Sequence, residues 1–213
     1  MAFKRLLVAF VLITGAALAA VGSARADDYD IVGFGDSLMA GYRLAPGESF
    51  PERLEAALRA AGHEVTVANA GVSGDTTSGG LARLDWSVSD GTDLVILELG
   101  ANDMLRGIGP DITEKNLDEM IVRLKARGID VLLIGMRAAP NMGPDYQQTF
   151  DAIYERLAAK HDVLLYPFFL DGVAANPGLL LDDGMHPNAA GVERMVEGVL
   201  PLVERQLNGD ARS

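Results

Sequence analysis

A chain of 213 residues, 49% hydrophobic and 23% charged, carries enough apolar side chain for one domain with a sizeable core. Its formal net charge of −12 argues against nucleic acid, whose phosphates call for a basic face, and against an anionic membrane surface. It has no cysteine, which excludes a disulfide framework and a lipidated-cysteine anchor and leaves stability to packing.

The first segment reads as an address. Lys4 and Arg5 precede an apolar run over 6–21, and Ala24-Arg25-Ala26 is a small-x-small cleavage pattern. The run is short for a membrane span, which needs roughly 20 apolar residues. We expect a signal peptide over 1–26, cut after Ala26, and a protein that is exported, periplasmic or secreted. Residues 27–213 then form a single domain with no stable membrane insertion. Loss of Lys4, Arg5 and Arg25 lowers the formal charge by three, to −15.

Beyond this segment, short apolar runs alternate with longer amphipathic ones. Strands are expected over 29–35, 65–70, 93–99, 130–136 and 163–166. Four of the five are nearly continuous in Val, Ile and Leu, the pattern of strands buried on both faces. Helices are expected over 50–61, 113–127, 145–160 and 188–206, with a short one inside 76–89. Asp111 or Thr113 can cap the helix over 113–127. Repeating β-α units imply an α/β fold: a three-layer α/β/α sandwich around a mainly parallel five-stranded sheet, with right-handed crossovers. No internal repeat, low-complexity tract or linker interrupts it.

In such sheets, sites form at the carboxyl ends of the strands. Ser37 follows the first strand, at the start of a turn where backbone N–H groups lack partners, a placement suited to a nucleophile. Gly74 follows the second strand, in Asn69-Ala70-Gly71-Val72-Ser73-Gly74, and Asn102 follows the third, in Gly100-Ala101-Asn102-Asp103. The Gly74 N–H and the Asn102 amide can each donate to an oxyanion, although both stretches also read as ordinary turns. Asp183 and His186 lie in Asp182-Asp183-Gly184-Met185-His186, after the fifth strand. Three-residue spacing lets the Asp183 carboxylate meet His186 Nδ1; the plainer reading has Asp183 capping its own loop. Asp182 is the competing carboxylate. The other two histidines, His63 and His161, precede strands on the opposite rim, where solvated histidines beside helix C-termini are expected. Two further loops reach the site rim: 104–111, beside Asn102, which can fold over an acyl chain, and 136–143, with Arg137, Ala138 and Pro140. For both, plain connection is the competing reading.

Gly35-Asp36-Ser37-Leu38, the glycine block at Gly74, Gly100-Ala101-Asn102-Asp103 and Asp183-x-x-His186 together resemble the SGNH (GDSL) hydrolases, serine esterases and lipases, across nearly all of 27–213. Ser73-Gly74-Asp75-Thr76, Gly80-Leu81-Ala82-Arg83-Leu84, Glu98-Leu99-Gly100 and Leu105-Arg106-Gly107 narrow the likeness. They resemble the bacterial multifunctional acyl-CoA thioesterase/lysophospholipase group and its arylesterase relatives. The resemblance implies a flavodoxin-like fold of SGNH type and a triad of Ser37, His186 and Asp183. It implies an oxyanion hole from the N–H of Ser37, the N–H of Gly74 and the Asn102 side chain, with Asp36 bracing the loop. It also makes 136–143 a wall of the acyl pocket, with Ala138 where relatives carry a bulkier apolar residue. Ala101 stands where they often have glycine.

Four other readings compete. A dinucleotide site would start from Gly33-x-Gly35, but position 38 is leucine where a third glycine is needed. A metal-dependent phosphoesterase could draw on Asp36, Asp75, Asn102, Asp183 and His186, although such sites usually need more than one histidine. A non-catalytic lipid- or glycan-binding protein could keep the fold without turnover. An α/β-hydrolase proper needs the closing glycine of G-x-S-x-G, where Met39 stands. The expectation is a serine esterase acting on a small-molecule ester or thioester, with no cofactor and no metal.

Overall fold

The computed structural model describes residues 28–209; the expected signal peptide over 1–26 lies outside the described residues. Five apolar runs form five strands: β1 Tyr29–Gly35, β2 Val65–Gly71, β3 Leu94–Glu98, β4 Asp130–Ile134 and β5 Leu164–Tyr166. All pairings are parallel, in the order β2-β1-β3-β4-β5. The central position of β3 explains its composition: Leu94, Val95, Ile96 and Leu97 are fully buried because both faces are covered. At the edge, β2 buries only Val65 and Val67, and Ala68 and Asn69 are exposed.

Seven α-helices are present among the described residues. Helix α2 (Phe50–Ala60) packs on α7 (Ala189–Leu207), while α5 (Pro110–Ala126) packs between α3 (Thr77–Ser87) and α6 (Pro144–His161). Two short helices, α1 (Ser37–Ala40) and α4 (Ala101–Leu105), follow the carboxyl ends of β1 and β3. This is the expected three-layer, flavodoxin-like sandwich. No helix among the described residues is long and apolar enough to cross a membrane.

The strand order positions the site. The chain steps from β1 to β2 on one side, then returns across β1 to β3 on the other. The two crossovers diverge at the carboxyl ends of β1 and β3, which opens a crevice there. Ser37 lies two residues beyond the end of β1 and Asn102 four beyond the end of β3.

Three local expectations are corrected. The helix expected over 113–127 starts at Pro110, whose fixed φ suits a first helical position, and neither Asp111 nor Thr113 caps it. Thr113 is instead buried, with its hydroxyl 3.4 Å from Asp103. The loop expected over 104–111 is shorter than that, confined to 106–109, since α4 runs to Leu105 and α5 begins at Pro110. His161 is less solvated than expected: packing of α6 on α5 leaves its side chain 11% exposed, 2.6 Å from the Asp118 carboxylate.

Candidate active site

Where β1 ends, the backbone turns directly into α1, and Asp36 serves as its N-cap, with Oδ1 accepting the Leu38 N–H at 3.0 Å. Ser37 is thereby the first helical residue. The turn packs tightly on the end of β2: a Cβ at Gly71 would lie 2.3 Å from the Ala40 nitrogen, so only glycine permits the approach.

His186 reaches Ser37 from 149 residues away, with Nε2 2.9 Å from Oγ. Its Nδ1 lies 2.9 Å from Asp183 Oδ2. The two readings of Asp183 turn out to be compatible. Oδ2 meets the imidazole, while Oδ1 accepts the N–H groups of Met185 and His186 at 2.9 and 3.0 Å and shapes the loop. Those bonds, from His186 first and Met185 next, hold the Asp183 carboxyl down to about 2. An ionised carboxylate can only accept, so the proton sits on Nδ1 and Nε2 is left to accept from the Ser37 hydroxyl. Asp182 is exposed and makes no hydrogen bond to the described residues.

Three donors face the same cavity. The N–H groups of Ser37 and Gly74 have no acceptor among the described residues, while the Gly74 carbonyl accepts from Arg106 at 2.7 Å. Asn102, in the first turn of α4, donates one amide hydrogen to Asp36 Oδ2 at 2.8 Å and keeps the other. Asp36 thus does more than brace its own loop, because it orients the amide arriving from β3. Burial raises the pKa of its carboxyl. Beneath it, Glu98 is wholly buried, accepts the Asp36 N–H at 3.1 Å, and has its pKa pushed well up by burial and then by the Asp36 charge. Asp103 points away and holds the first turn of α3, accepting from the Thr77 N–H at 2.8 Å and the Thr77 hydroxyl at 2.5 Å.

The cavity above Ser37 encloses about 670 Å³, within the usual range for small-molecule sites. Its walls are mainly apolar. Leu38 and Tyr42 come from the first turn, Met104 and Leu105 from α4, and Met136, Ala138 and Ala139 from the loop after β4. Arg137, Ala138 and Pro140 all line it, but only Ala138 is a buried wall; Arg137 and Pro140 are exposed at the mouth. The Ala138 N–H is anchored to Asp151 of α6 at 2.7 Å.

Sequence reasoning missed the remaining wall, formed by Phe168, Leu170, Ala174, Ala175 and Leu180. It follows β5 on the same rim, and that position was the signal available. Also missed was the contact of the Tyr42 ring with His186, at 4.4 Å between centroids. The carboxylates of the phosphoesterase set are otherwise engaged. Asp75 pairs with Arg83 at 2.7 Å, and Asp36 holds Leu38 and Asn102. No group of three or more His, Cys, Asp or Glu among the described residues is arranged to hold a metal ion.

With this geometry in place, comparison with known proteins gives a consistent picture. Residues 34–194 match the model of the GDSL-like Lipase/Acylhydrolase family. An arylesterase of Vibrio mimicus is 46% identical over 154 residues, covering 72% of this chain and 77% of that protein. Thioesterase 1/protease 1/lysophospholipase L1 of Escherichia coli (strain K12) is 41% identical over 155 residues, covering 72% of this chain and 73% of that protein. The crystal structure of AlinE4, an SGNH-hydrolase family esterase, superposes with a TM-score of 0.72 at 48% identity, covering 85% of this chain and 98% of that one.

Proposed function

This chain belongs to the GDSL-like lipase/acylhydrolase family, and from that membership we propose an exported esterase that works through an acyl-enzyme on Ser37. It is a serine hydrolase of SGNH type, a carboxylic ester hydrolase. The observation that carries the finer reading is the hydrogen-bonded chain Asp183–His186–Ser37, which opens on an apolar cavity.

In this reading Ser37 Oγ attacks the ester carbonyl as its proton passes to His186 Nε2. The oxyanion is received by the N–H groups of Ser37 and Gly74 and by the free Asn102 amide hydrogen, whose direction Asp36 fixes. Collapse expels the alcohol or thiol, which leaves with the proton from His186. Water then repeats the sequence and frees the acid. Asp183 keeps the imidazole in the required tautomer throughout. No step calls on a metal or organic cofactor.

The cavity walls suit an acyl or aryl group, and Ala138 contributes only a methyl group to them. Arylesters, acyl thioesters and lysophospholipids are the substrate classes that the relatives' names suggest. Export is supported by the charge, apolar run and cleavage pattern within 1–26.

The test is a panel of p-nitrophenyl esters of rising chain length, with palmitoyl-CoA and lysophospholipid arms, run on the native enzyme and on Ser37→Ala. We expect turnover of at least one arm and its loss in the variant. Turnover that persists in Ser37→Ala removes the reading. Binding without any turnover favours the non-catalytic alternative, and a phosphoesterase activity abolished by chelation favours the metal-dependent one.

A further inference from the structure

We infer that Tyr42 is a positioning residue for the proton transfer, its ring packing on the His186 imidazole and favouring the imidazolium that forms as Ser37 attacks. This rests on the reaction proposed above.

The two rings lie 4.4 Å apart between centroids with their planes inclined at 38°. An aromatic face carries negative charge density, so it attracts an imidazolium more than a neutral imidazole. The contact therefore strengthens in step with proton transfer. Asp183 acts on the same imidazole through Nδ1, a separate contact. Among the other ionisable groups nearby, buried Asp36 interacts with His186 through its charge, Arg137 lines the same cavity, and exposed Asp182 stands on the same loop.

The backbone holds Tyr42 in place at some conformational cost. Its N–H donates to the Ser37 carbonyl at 3.2 Å, so the nucleophile's own residue anchors it. On either side, Gly41 (φ 77°) and Arg43 (φ 59°) both take the left-handed conformation, which a non-glycine residue such as Arg43 adopts only at a cost. At Gly41 there is no room for a side chain, since a Cβ would lie 2.7 Å from Ser49 Cβ. The Tyr42 hydroxyl makes no hydrogen bond to the described residues, and the residue stays 39% exposed. A side chain needed only to fill the wall would not require a ring against the histidine. The ring, not the hydroxyl, is the functional part.

The experiment compares native enzyme, Tyr42→Phe and Tyr42→Leu by two readouts. One is NMR titration of the His186 imidazole, which needs no turnover. The other is the pH profile of kcat/KM with p-nitrophenyl acetate, too small to depend on the distant walls. Tyr42→Leu should lower kcat/KM roughly two- to five-fold, the scale of an exposed cation–π contact. It should also move both the NMR midpoint and the rising limb of the profile down by roughly 0.4–0.7 pH unit. Tyr42→Phe, which keeps the ring, should hold the NMR midpoint at its native position and be less impaired in kcat/KM than Tyr42→Leu. Tyr42→Met, similar in length, repeats the test without the ring should the leucine variant fold poorly. The inference is overturned if the midpoint stays put in the ringless variants, or if Tyr42→Phe is impaired as much as Tyr42→Leu. A shifted midpoint in an enzyme whose Ser37→Ala variant still hydrolyses esters would remove the proposed reaction and leave the ring–imidazole coupling standing.

Discussion

Two histidine–aspartate pairs stand at opposite rims of the same sheet. His186 Nδ1 lies 2.9 Å from Asp183, and His161 Nε2 lies 2.6 Å from Asp118. By distance alone the second is the tighter pair. The difference lies in what else each group meets. The Asp118 oxygen that contacts His161 is shared with the Lys160 ammonium at 2.7 Å, and Lys125 donates to the His161 carbonyl. No hydroxyl is hydrogen-bonded to the second nitrogen of His161 among the described residues. His186 uses its second nitrogen on Ser37 Oγ, at the mouth of an apolar cavity. A carboxylate–imidazole pair tethers two helices in one place and, in our reading, arms a nucleophile in the other. The carboxyl ends of the strands, and the hydroxyl delivered there, make the distinction.

The comparison breaks first at the proposed nucleophile and its proposed base. Ser37→Ala and His186→Ala should each lower kcat on the order of 10⁶-fold, as members of a unit that acts together, with unchanged far-UV circular dichroism. His161→Ala should leave kcat where it is. A large loss of kcat in His161→Ala would erase the contrast between the rims.

The next largest effect concerns the acid. Asp183→Asn should lower kcat on the order of 10⁴-fold by offering the imidazole the wrong tautomer, while Asp182→Asn changes little. pH sharpens the point. With its carboxyl held at about 2 against an ordinary 3.8, Asp183 adds stability that is complete above about pH 4 and lost as pH falls through 2. Acid denaturation followed by tryptophan fluorescence should therefore show a shallower loss between pH 4 and 2 in Asp183→Asn than in the native enzyme. Equal slopes would mean that this carboxylate is not held by its loop.

Adjacent residues on α4 separate chemistry from structure. Asn102→Ala should cost about 100- to 1,000-fold in kcat with little change in KM, the value of one oxyanion donor. Asp103→Asn should spare kcat far more but lower stability by about 1–3 kcal/mol, because an amide cannot satisfy every buried donor from Thr77. Steady-state kinetics and urea denaturation on both variants decide it. The smallest effect belongs to the opposite rim: His161→Ala should cost about 1–2 kcal/mol in urea, with Lys160 still satisfying Asp118.

Much of this molecule could be read from local pattern. The five strands announce themselves as apolar runs of the right length, and Ser37 sits where a strand meets a helix. The Asp183-x-x-His186 spacing is closed by one loop, so its geometry follows from three residues. What escaped was long-range. The Asp36–Asn102 bond spans 66 positions, the Thr77–Asp103 bond 26, and the His161–Asp118 contact 43, each fixed by which elements the fold makes neighbours. The wall from Phe168 to Leu180 has neither helical nor strand periodicity, so nothing in its residues marks it as lining a cavity. Tyr42 lies only five residues after Ser37, but its partner is a ring far along the chain. The start of α5 was misplaced because a proline at its first position serves where a capping side chain was expected.

The most direct test of the acyl-enzyme is rapid acid quench of the enzyme with a slowly turned-over ester, followed by peptide mass spectrometry. The account predicts an acyl group on the peptide carrying Ser37, formed at burst rate in the native enzyme and absent in Ser37→Ala. An adduct on another residue, or steady hydrolysis with no adduct under conditions where deacylation is limiting, would contradict it.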